Sequence, residues 1–153
     1  MARSPSVSPL ETHLGYWLRF VSNQVSQVFS RKVAAFGVSV AEWVILRELY
    51  DSDALAPSLL AGKISMTRGG ISKLADKLVA KSLVTRTQSD EDLRYQALAL
   101  TARGRALVPK LAALADRNDE EFFSHLSSAE RKKIESAMRD IVRRHGLTVL
   151  PVE

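Results

Sequence analysis

The chain contains no cysteine among its 153 residues. This excludes disulfide bonds, thiolate metal sites and redox sensing through a thiol. The chain also lacks an uninterrupted run of 18 apolar residues, so the sequence predicts no membrane span. Its first nine residues, MARSPSVSP, are too polar and too rich in proline for a signal peptide. We therefore expect a cytoplasmic protein that does not bind membranes.

Sequence signatures of catalysis are missing as well. The chain has no Gly-x-Ser-x-Gly elbow and no phosphate-cradling glycine loop. Its three histidines, His13, His125 and His145, lack the spacing of a metal site, although zinc bound from separate segments stays an open alternative. The sequence therefore predicts a protein that is not an enzyme and that uses no cofactor.

The positive charge of the chain is concentrated in one segment. Lysine and arginine outnumber aspartate and glutamate by 22 to 17, which gives a net charge of +5. Residues 57–105 contain nine positive and four negative residues, so this segment alone accounts for the whole excess. A localised basic surface favours an acidic partner, with nucleic acid ahead of a membrane surface.

The spacing of three residues in this segment predicts a helix-turn-helix. Ala61 is a small residue where two helices come closest, Ser65 is a turn residue four positions later, and Ile71 is an aliphatic anchor six positions beyond. This spacing lets two helices cross at a steep angle. The second helix is predicted to follow Thr67 as its N-cap and to run to about Lys81.

Two short strands are predicted after this helix. Residues 84–87 and 95–100 have the composition of paired strands, with residues 89–94 as the tip between them. A winged helix binds DNA by placing a helix in one groove and a β-hairpin in the adjacent groove. The sequence thus predicts a mainly α-helical fold with a small β-hairpin wing, in which residues 38–101 form a winged helix-turn-helix lobe.

Further helices are predicted on both sides of the hairpin, which brings the total to six. Their start and stop signals are Gly37 as a left-handed cap, capping boxes at Ser39–Glu42 and Ser127–Glu130, Pro57 in a first turn, and Thr101 as an N-cap. The first of these helices is predicted to begin at Leu10, because apolar residues recur from there every three or four positions. Residues 1–9 are expected to be disordered.

The outer helices have more apolar surface than one small lobe can cover. Their apolar positions include Leu14, Trp17, Leu18, Val21, Val25, Val28, Phe29, Leu107, Leu111, Leu114, Phe122, Phe123, Leu126, Ile134, Met138, Ile141 and Val142. Residues 10–36 and 102–150 are therefore predicted to form a helical dimerisation region. A two-fold homodimer suits a palindromic operator with half-sites about 34 Å apart. The alternative is that these residues form the core of a monomer.

Three stretches resemble the MarR family of bacterial winged helix-turn-helix transcriptional regulators. They are VSVAEWVILREL at 38–49, ISKLADKLVAKSLVTR at 71–86 and DLRYQALALTARGRAL at 92–107. The last is the most specific, because it resembles the family's wing followed by a Leu-Thr-x-x-Gly helix start. Asp92 and Arg94 fall on the wing's Asp-x-Arg pair.

This resemblance implies a homodimer with interleaved terminal helices and two DNA-binding lobes. It implies a repressor, or less often an activator, that is released from DNA by a small aromatic or lipophilic effector. The chain departs from the family pattern at Ser65, where the family has a turn glycine, and at Gly69 and Gly70, where helix formers are more usual.

Ten residues are predicted to contact double-stranded DNA. They are Thr67, Arg68, Gly69, Gly70, Ser72, Lys73, Lys77, Arg86, Asp92 and Arg94. Arg68 is the candidate for a bidentate contact to guanine, and Lys73 and Lys77 are candidates for phosphate contacts. Arg94 is placed to enter the minor groove with Asp92 holding its guanidinium. The alternative for that pair is an ordinary surface ion pair.

The other predicted contacts are less specific. Thr67 and Ser72 can bond to bases or phosphates, and Arg86 is a candidate for a phosphate contact. Gly69 and Gly70 either let the backbone approach DNA closely or reflect a tolerant first turn, and the sequence does not decide between the two.

A ligand pocket is predicted where the dimer helices meet the DNA-binding lobe. His13, Trp17, Trp43 and Arg47 would give it aromatic walls and a cation, which suits a phenolic carboxylate. The alternative is that the two tryptophans belong to the core and that His13 is exposed.

Two other functions compete with a ligand-released regulator. The first is an architectural or constitutive DNA-binding regulator that senses no small molecule. The second is a winged helix that binds only protein, which leaves the local positive charge and Arg94 unexplained.

Overall fold

The computed structural model of the chain describes residues 6–88 and 96–148. These ranges contain six α-helices and a two-stranded antiparallel hairpin, which confirms the predicted fold class. The helices are α1 (Leu14–Ala34), α2 (Val40–Tyr50), α3 (Pro57–Lys63), α4 (Arg68–Ala80), α5 (Ala102–Phe123) and α6 (Ser128–Arg144), and the strands are β1 (Val84–Gln88) and β2 (Gln96–Leu100). No helix in these two ranges has the length and apolar composition that crossing a bilayer requires.

The first helix begins later than predicted. A 3-10 turn spans Leu10–Thr12, and α1 starts only at Leu14. The hydroxyl of Thr12 donates to the carbonyl of Pro9 at 2.7 Å, and His13 has an extended backbone with φ −92°. Such local side-chain bonds give the backbone an alternative to the α-helix. The prediction of a continuous helix from Leu10 was therefore wrong at its first turn.

The predicted helix caps are confirmed. Ser39 and Ser127 each open a capping box, in which the serine accepts from the glutamate three residues later and that glutamate accepts from the serine backbone. The hydroxyl of Thr67 accepts from the backbone of Gly70 at 3.1 Å. Gly37 has φ +77°, the left-handed conformation that ends α1 and that glycine adopts at least cost.

Two serines also adopt the left-handed conformation. Ser65, with φ +55°, forms the turn between α3 and α4, where the sequence placed it. Ser82, with φ +59°, ends α4 and was not predicted. After it, the amide of Leu83 donates to the carbonyl of Leu78 at 3.0 Å, and this bond ends the helix.

The core of the lobe lies between α2, α3, α4, the hairpin and the first turns of α5. Its fully buried side chains include Ile45, Leu46, Leu49, Leu60, Ile71, Leu78, Leu98, Val108 and Leu111. Ala61 and Ile71 are both buried, as the helix-turn-helix spacing predicts. The backbone of Leu55 exchanges hydrogen bonds of 2.9 and 2.8 Å with Leu98, so a third short segment pairs with β2. This pairing joins the residues that precede α3 to the hairpin.

The outer helices are largely uncovered in a single chain. α1 buries only Val33 among its 21 residues, and α6 buries none of its 17. Polar contacts join α1 to α5, where buried Asn118 accepts from Lys32 at 3.1 Å and donates to the carbonyl of Val25 at 3.2 Å, and where Lys32 also pairs with Glu121 at 2.7 Å. The exposed large apolar side chains of the two outer helices are Leu14, Trp17, Leu18, Phe20, Val21, Ile134, Met138, Ile141 and Val142.

Candidate nucleic-acid interface

One face of α4 packs on the core and the other is open to solvent. Ile71, Ala75 and Leu78 are buried at helical spacing, which fixes the rotation of the helix. The predicted contacts of α4 lie on the other side. Arg68, Gly69, Ser72, Lys73 and Lys77 are exposed.

Three cations of this face are free of internal partners. Within residues 6–88 and 96–148, Arg68, Lys73 and Lys77 form no ion pair and no side-chain hydrogen bond. Arg68 is the first residue of α4, directly after the Thr67 cap. Cations that hold no internal partner can engage phosphates or bases without first breaking a bond within the protein.

Arg86 differs from the exposed cations of α4 because it has partners within the protein. Its guanidinium donates to Asp76 at 2.7 Å and to the backbone carbonyl of Ser72 at 3.5 Å. Arg86 therefore braces β1 on α4, the predicted recognition helix. Sequence reasoning missed this partner, because Asp76 lies ten residues away on another element.

Lys81 is also bound within the protein, at the end of α4. Its ammonium donates to both carboxylate oxygens of Glu42 at 3.0 and 2.8 Å and to the carbonyl of Gly37 at 2.8 Å. Burial of Glu42 opposes its ionisation, but the hydrogen bonds from Lys81 and Ser39 outweigh it and hold the pKa of the carboxyl below its ordinary value. This ion pair links the recognition helix to the start of α2.

A third cation, Arg105, is bound as well. Its guanidinium lies over the ring of Tyr50, 5.3 Å from the centroid, and donates to the carbonyl of Tyr50 at 3.2 Å. The basic segment thus contains two kinds of cation. Lys81, Arg86 and Arg105 hold the lobe together, whereas the cations of the exposed α4 face are left for a partner.

The two glycines of α4 differ in their surroundings. A Cβ added to Gly69 would meet nothing within 4 Å, so nothing in the chain itself requires a glycine there. A Cβ on Gly70 would lie 3.1 Å from the hydroxyl oxygen of Thr67, which is tight against the N-cap. The same position after the Ser39 and Ser127 caps holds a glutamate, so capping does not require a glycine at position 70, and close approach to DNA stays a hypothesis for both glycines.

The wing tip lies outside the described residues. The strands pair from Val84 with Leu100 to Gln88 with Gln96, so the hairpin is confirmed up to that point. The contacts predicted for Asp92 and Arg94 fall between these strands, in residues 89–95, which the structure does not describe.

The four residues predicted to line a ligand pocket have separate surroundings in the single chain. The indole nitrogen of Trp17 donates to the carbonyl of Glu11 at 2.9 Å, and the ring of His13 lies against the carbonyls of Pro9 and Leu10. Trp43 is half-buried against the core.

Arg47 is held on the surface of α2. It donates to Asp51 at 2.7 Å, and this hydrogen bond raises the pKa of the guanidinium above its ordinary value. In the described part of the chain, no hydrogen bond or ion pair joins His13 or Trp17 to Trp43 or Arg47.

Three comparisons place this arrangement among known proteins. A model of the MarR family matches residues 38–95. The HTH-type transcriptional regulator PrsX of Escherichia coli is 28% identical over 130 residues, which cover 83% of this chain and 78% of that protein.

Solved structures share the fold over nearly the whole chain. The S. aureus MepR–DNA complex has a TM-score of 0.80 at 23% identity, covering 86% of this chain and 98% of the other. A structure of Bordetella bronchiseptica BpsR, described by the regulation of its DNA binding by 6-hydroxynicotinic acid, has a TM-score of 0.79 at 22% identity, covering 89% and 97%.

Proposed function

We propose that this chain, which belongs to the MarR family of transcriptional regulators, represses transcription by binding a palindromic operator as a homodimer. The observation that carries the proposal is the exposed face of α4, where Arg68, Lys73 and Lys77 hold no partner among residues 6–88 and 96–148. The N-terminal residues of this helix enter the major groove, and the lysines reach the flanking phosphates.

Selection of bound sequences from random double-stranded DNA tests this function directly. We expect an inverted repeat with half-sites about one helical turn apart. The affinity for that repeat should fall steeply with salt, because each phosphate contact releases counterions. A chain that selects no sequence and binds no duplex DNA would support the winged helix that binds only protein.

The base contact is assigned to Arg68. Replacing Arg68 by alanine is expected to weaken operator binding by about 1–3 kcal/mol and to relax the preference at one base pair of each half-site, because a bidentate contact to guanine is lost. Gel-shift titrations on operators substituted at single positions measure both effects. Arg117→Ala is the control, since Arg117 is exposed on α5, away from the α4 face. An equal loss of affinity for every substituted operator would reassign Arg68 to the backbone.

The minor-groove contact is assigned to Arg94, braced by Asp92. Replacing Arg94 by alanine is expected to weaken operator binding while the protein stays folded, because its guanidinium favours the negative potential of a narrow A·T-rich groove. Titration against operators whose flanks are A·T-rich or G·C-rich measures the effect, which should be larger on the A·T-rich flanks. Wild-type affinity of this variant for both operators would contradict the assignment.

The homodimer is supported by the uncovered apolar faces of α1 and α6. A monomer of this size rarely exposes so large a contiguous apolar surface unless a partner covers it. Ile134, Met138 and Ile141 follow each other at helical spacing on one face of α6 and are each more than 40% exposed. We therefore assign residues 10–36 and 102–150 to dimerisation and residues 38–101 to DNA binding.

Replacing Met138 by glutamate should convert the dimer to a monomer, because it places a charge in the middle of that apolar face. Sedimentation equilibrium at micromolar concentration measures the change, and gel shift on the full palindrome should show a parallel loss of affinity. Ser136→Glu adds the same charge about 200° around the helix and is expected to leave the dimer intact. A dimeric Met138→Glu protein would show that α6 is not the interface.

We further propose that a small aromatic or lipophilic effector releases the protein from DNA. The predicted pocket of His13, Trp17, Trp43 and Arg47 would then be assembled by the dimer, because no hydrogen bond or ion pair joins the first two to the last two in the described part of one chain. Calorimetry with aromatic acids, repeated on Trp17→Ala and Arg47→Ala, tests the site. If no such compound alters operator binding, the constitutive or architectural regulator is the better description.

A further inference from the structure

One acidic residue lies within the most basic part of the chain. Residues 57–88 contain six cations and a single acid, Asp76. Asp76 lies between Lys73 and Lys77 in sequence and, like them, is exposed on α4. Its side chain is 64% exposed, so packing in the core does not account for it, and the phosphates of DNA repel its charge. What the carboxylate contributes must therefore come from the partner that it holds.

That partner is Arg86 on β1. One guanidinium nitrogen, Nη1, donates to Oδ1 of Asp76 at 2.7 Å, and the other, Nη2, donates to the carbonyl of Ser72 at 3.5 Å. Ser72 and Asp76 are four residues apart, so the guanidinium lies along about one turn of α4. The side chain of Arg86 is only 29% exposed. The guanidinium is thus held against the helix, and its charge is neutralised on the surface that DNA would approach.

We propose that Asp76 is a positioning residue that sets operator specificity by keeping Arg86 from the phosphates of DNA. A free arginine on this surface would bind the backbone of any sequence, because phosphate contacts carry no sequence information. An arginine that is paired with Asp76 adds little to the binding of random DNA. This inference rests on the function proposed above, and it assigns a role to a residue outside the predicted DNA contacts.

The same ion pair holds the hairpin in place relative to α4. Arg86 lies in the middle of β1, opposite Leu98 of β2, so its bond to Asp76 joins the paired strands to the helix. On an operator, the helix and the hairpin must fit adjacent grooves at the same time. Random DNA makes no such demand, because its binding is electrostatic. Loss of the pair should therefore favour random DNA over the operator.

Titrations of Asp76→Asn on the selected operator and on a random duplex of equal length test the proposal. The substitution removes the charge and keeps the shape of the side chain. We expect the affinity for the random duplex to rise about fivefold at 0.1 M salt, and the slope of log affinity against log salt to steepen by about 0.9 per lobe, because the freed Arg86 gains a phosphate. The affinity for the operator should change less, so the ratio of the two affinities should fall about threefold or more.

Two further variants separate the freed cation from the lost carboxylate. Asp116→Asn removes the same charge from an exposed position on α5 and should change neither the slope nor the ratio. Asp76→Asn combined with Arg86→Gln should lose the gain on random DNA, because the freed cation is no longer present. A gain that persists in the double variant would overturn the proposal, and so would an equal gain in Asp116→Asn.

The ion pair itself can be tested by nuclear magnetic resonance on the free protein. The guanidinium protons of Arg86 should exchange with water more slowly in the wild type than in Asp76→Asn, because a bonded N–H is protected from exchange. Equal exchange rates in the two proteins would overturn the role of Asp76 in holding Arg86.

The titrations distinguish this role from the proposed function. A wild type that binds neither duplex would overturn the proposed function, and the specificity role with it. A wild type that binds its operator, with an Asp76→Asn variant whose affinity ratio and salt slope are unchanged, would overturn the role of Asp76 alone.

Discussion

Replacing Gly104 by alanine is expected to lower the free energy of unfolding by about 3 kcal/mol or more, at the upper end of overpacking effects. Gly104 is buried in the first turn of α5, and a Cβ there would overlap the backbone carbonyl oxygen of Leu83 and lie 3.3 Å from a methyl carbon of Leu100. A carbonyl oxygen cannot turn aside as a side chain can. Either the hairpin or α5 must therefore move.

The contact at Gly104 is held from both sides. The carbonyl of Leu83 accepts from the backbone amide of Thr101 at 3.1 Å, and the hydroxyl of Thr101 donates to the carbonyl of Ser82 at 2.7 Å. That same hydroxyl accepts from the amide of Gly104 at 3.0 Å. Moving the helix away from Leu83 would strain all three bonds, so the overlap cannot be relieved cheaply.

Urea unfolding followed by circular dichroism measures the loss, with Gly62→Ala as the matched control. Gly62 is an exposed helical glycine, and a Cβ there would meet nothing within 4 Å. The control is expected to gain up to about 1 kcal/mol, because alanine loses less backbone entropy in a helix. If Gly104→Ala matched this gain, the close approach of α5 to Leu83 would be wrong.

The sequence identified the motif that contains Gly104 but could not explain why a glycine is needed there. The Leu-Thr-x-x-Gly stretch at residues 100–104 was identified through a family resemblance, and Thr101 was predicted as a cap from its residue type. The need for glycine at the fifth position arises from the backbone carbonyl of Leu83, which lies just before β1 and about twenty residues earlier in the chain. Local propensity contains no information about that contact.

The exposed face of α4 was predictable because it follows from a local pattern and not from a distant contact. Ile71 and Leu78 repeat at helical spacing, and this repeat alone determines which side of the helix faces solvent. The helix caps were predictable too, because each is formed within four residues of the chain. The structure gives two cations partners that the sequence did not predict, since Arg86 binds Asp76 and Lys81 binds Glu42 on other elements.

The late start of α1 was not predicted, although the bond that causes it is local. Apolar periodicity continues through Leu10, but the hydroxyl of Thr12 bonds to the carbonyl of Pro9 and favours a tight turn. The four residues predicted to line a ligand pocket share no hydrogen bond or ion pair in the described part of the single chain, so the pocket stays a prediction.

Replacing Lys81 by methionine is expected to cost about 2–4 kcal/mol at neutral pH, because it leaves a buried carboxylate without its cation. The side chain of Glu42 is only 4% exposed, and its carboxylate would keep only the hydrogen bond that it accepts from the backbone amide of Ser39 at 3.1 Å. Lys73→Met, on the same helix, removes a cation that has no partner among the described residues and should cost less than about 0.5 kcal/mol. Both are measured as midpoint shifts in urea at constant slope.

The cost of Lys81→Met should depend on pH in a direction set by Glu42. In the wild type the pKa of this carboxyl is lowered, so its contribution is present above the pKa of the unfolded carboxyl and is lost as the pH falls through the lowered value. In the variant, burial acts without Lys81 and raises the pKa, so protonation at low pH relieves the unpaired charge. The difference in stability between the two proteins should therefore shrink from pH 7 towards pH 4. Glu42→Gln in the Lys81→Met background should remove most of this pH dependence, whereas a constant difference across the range would mean that Glu42 is not the group left unpaired.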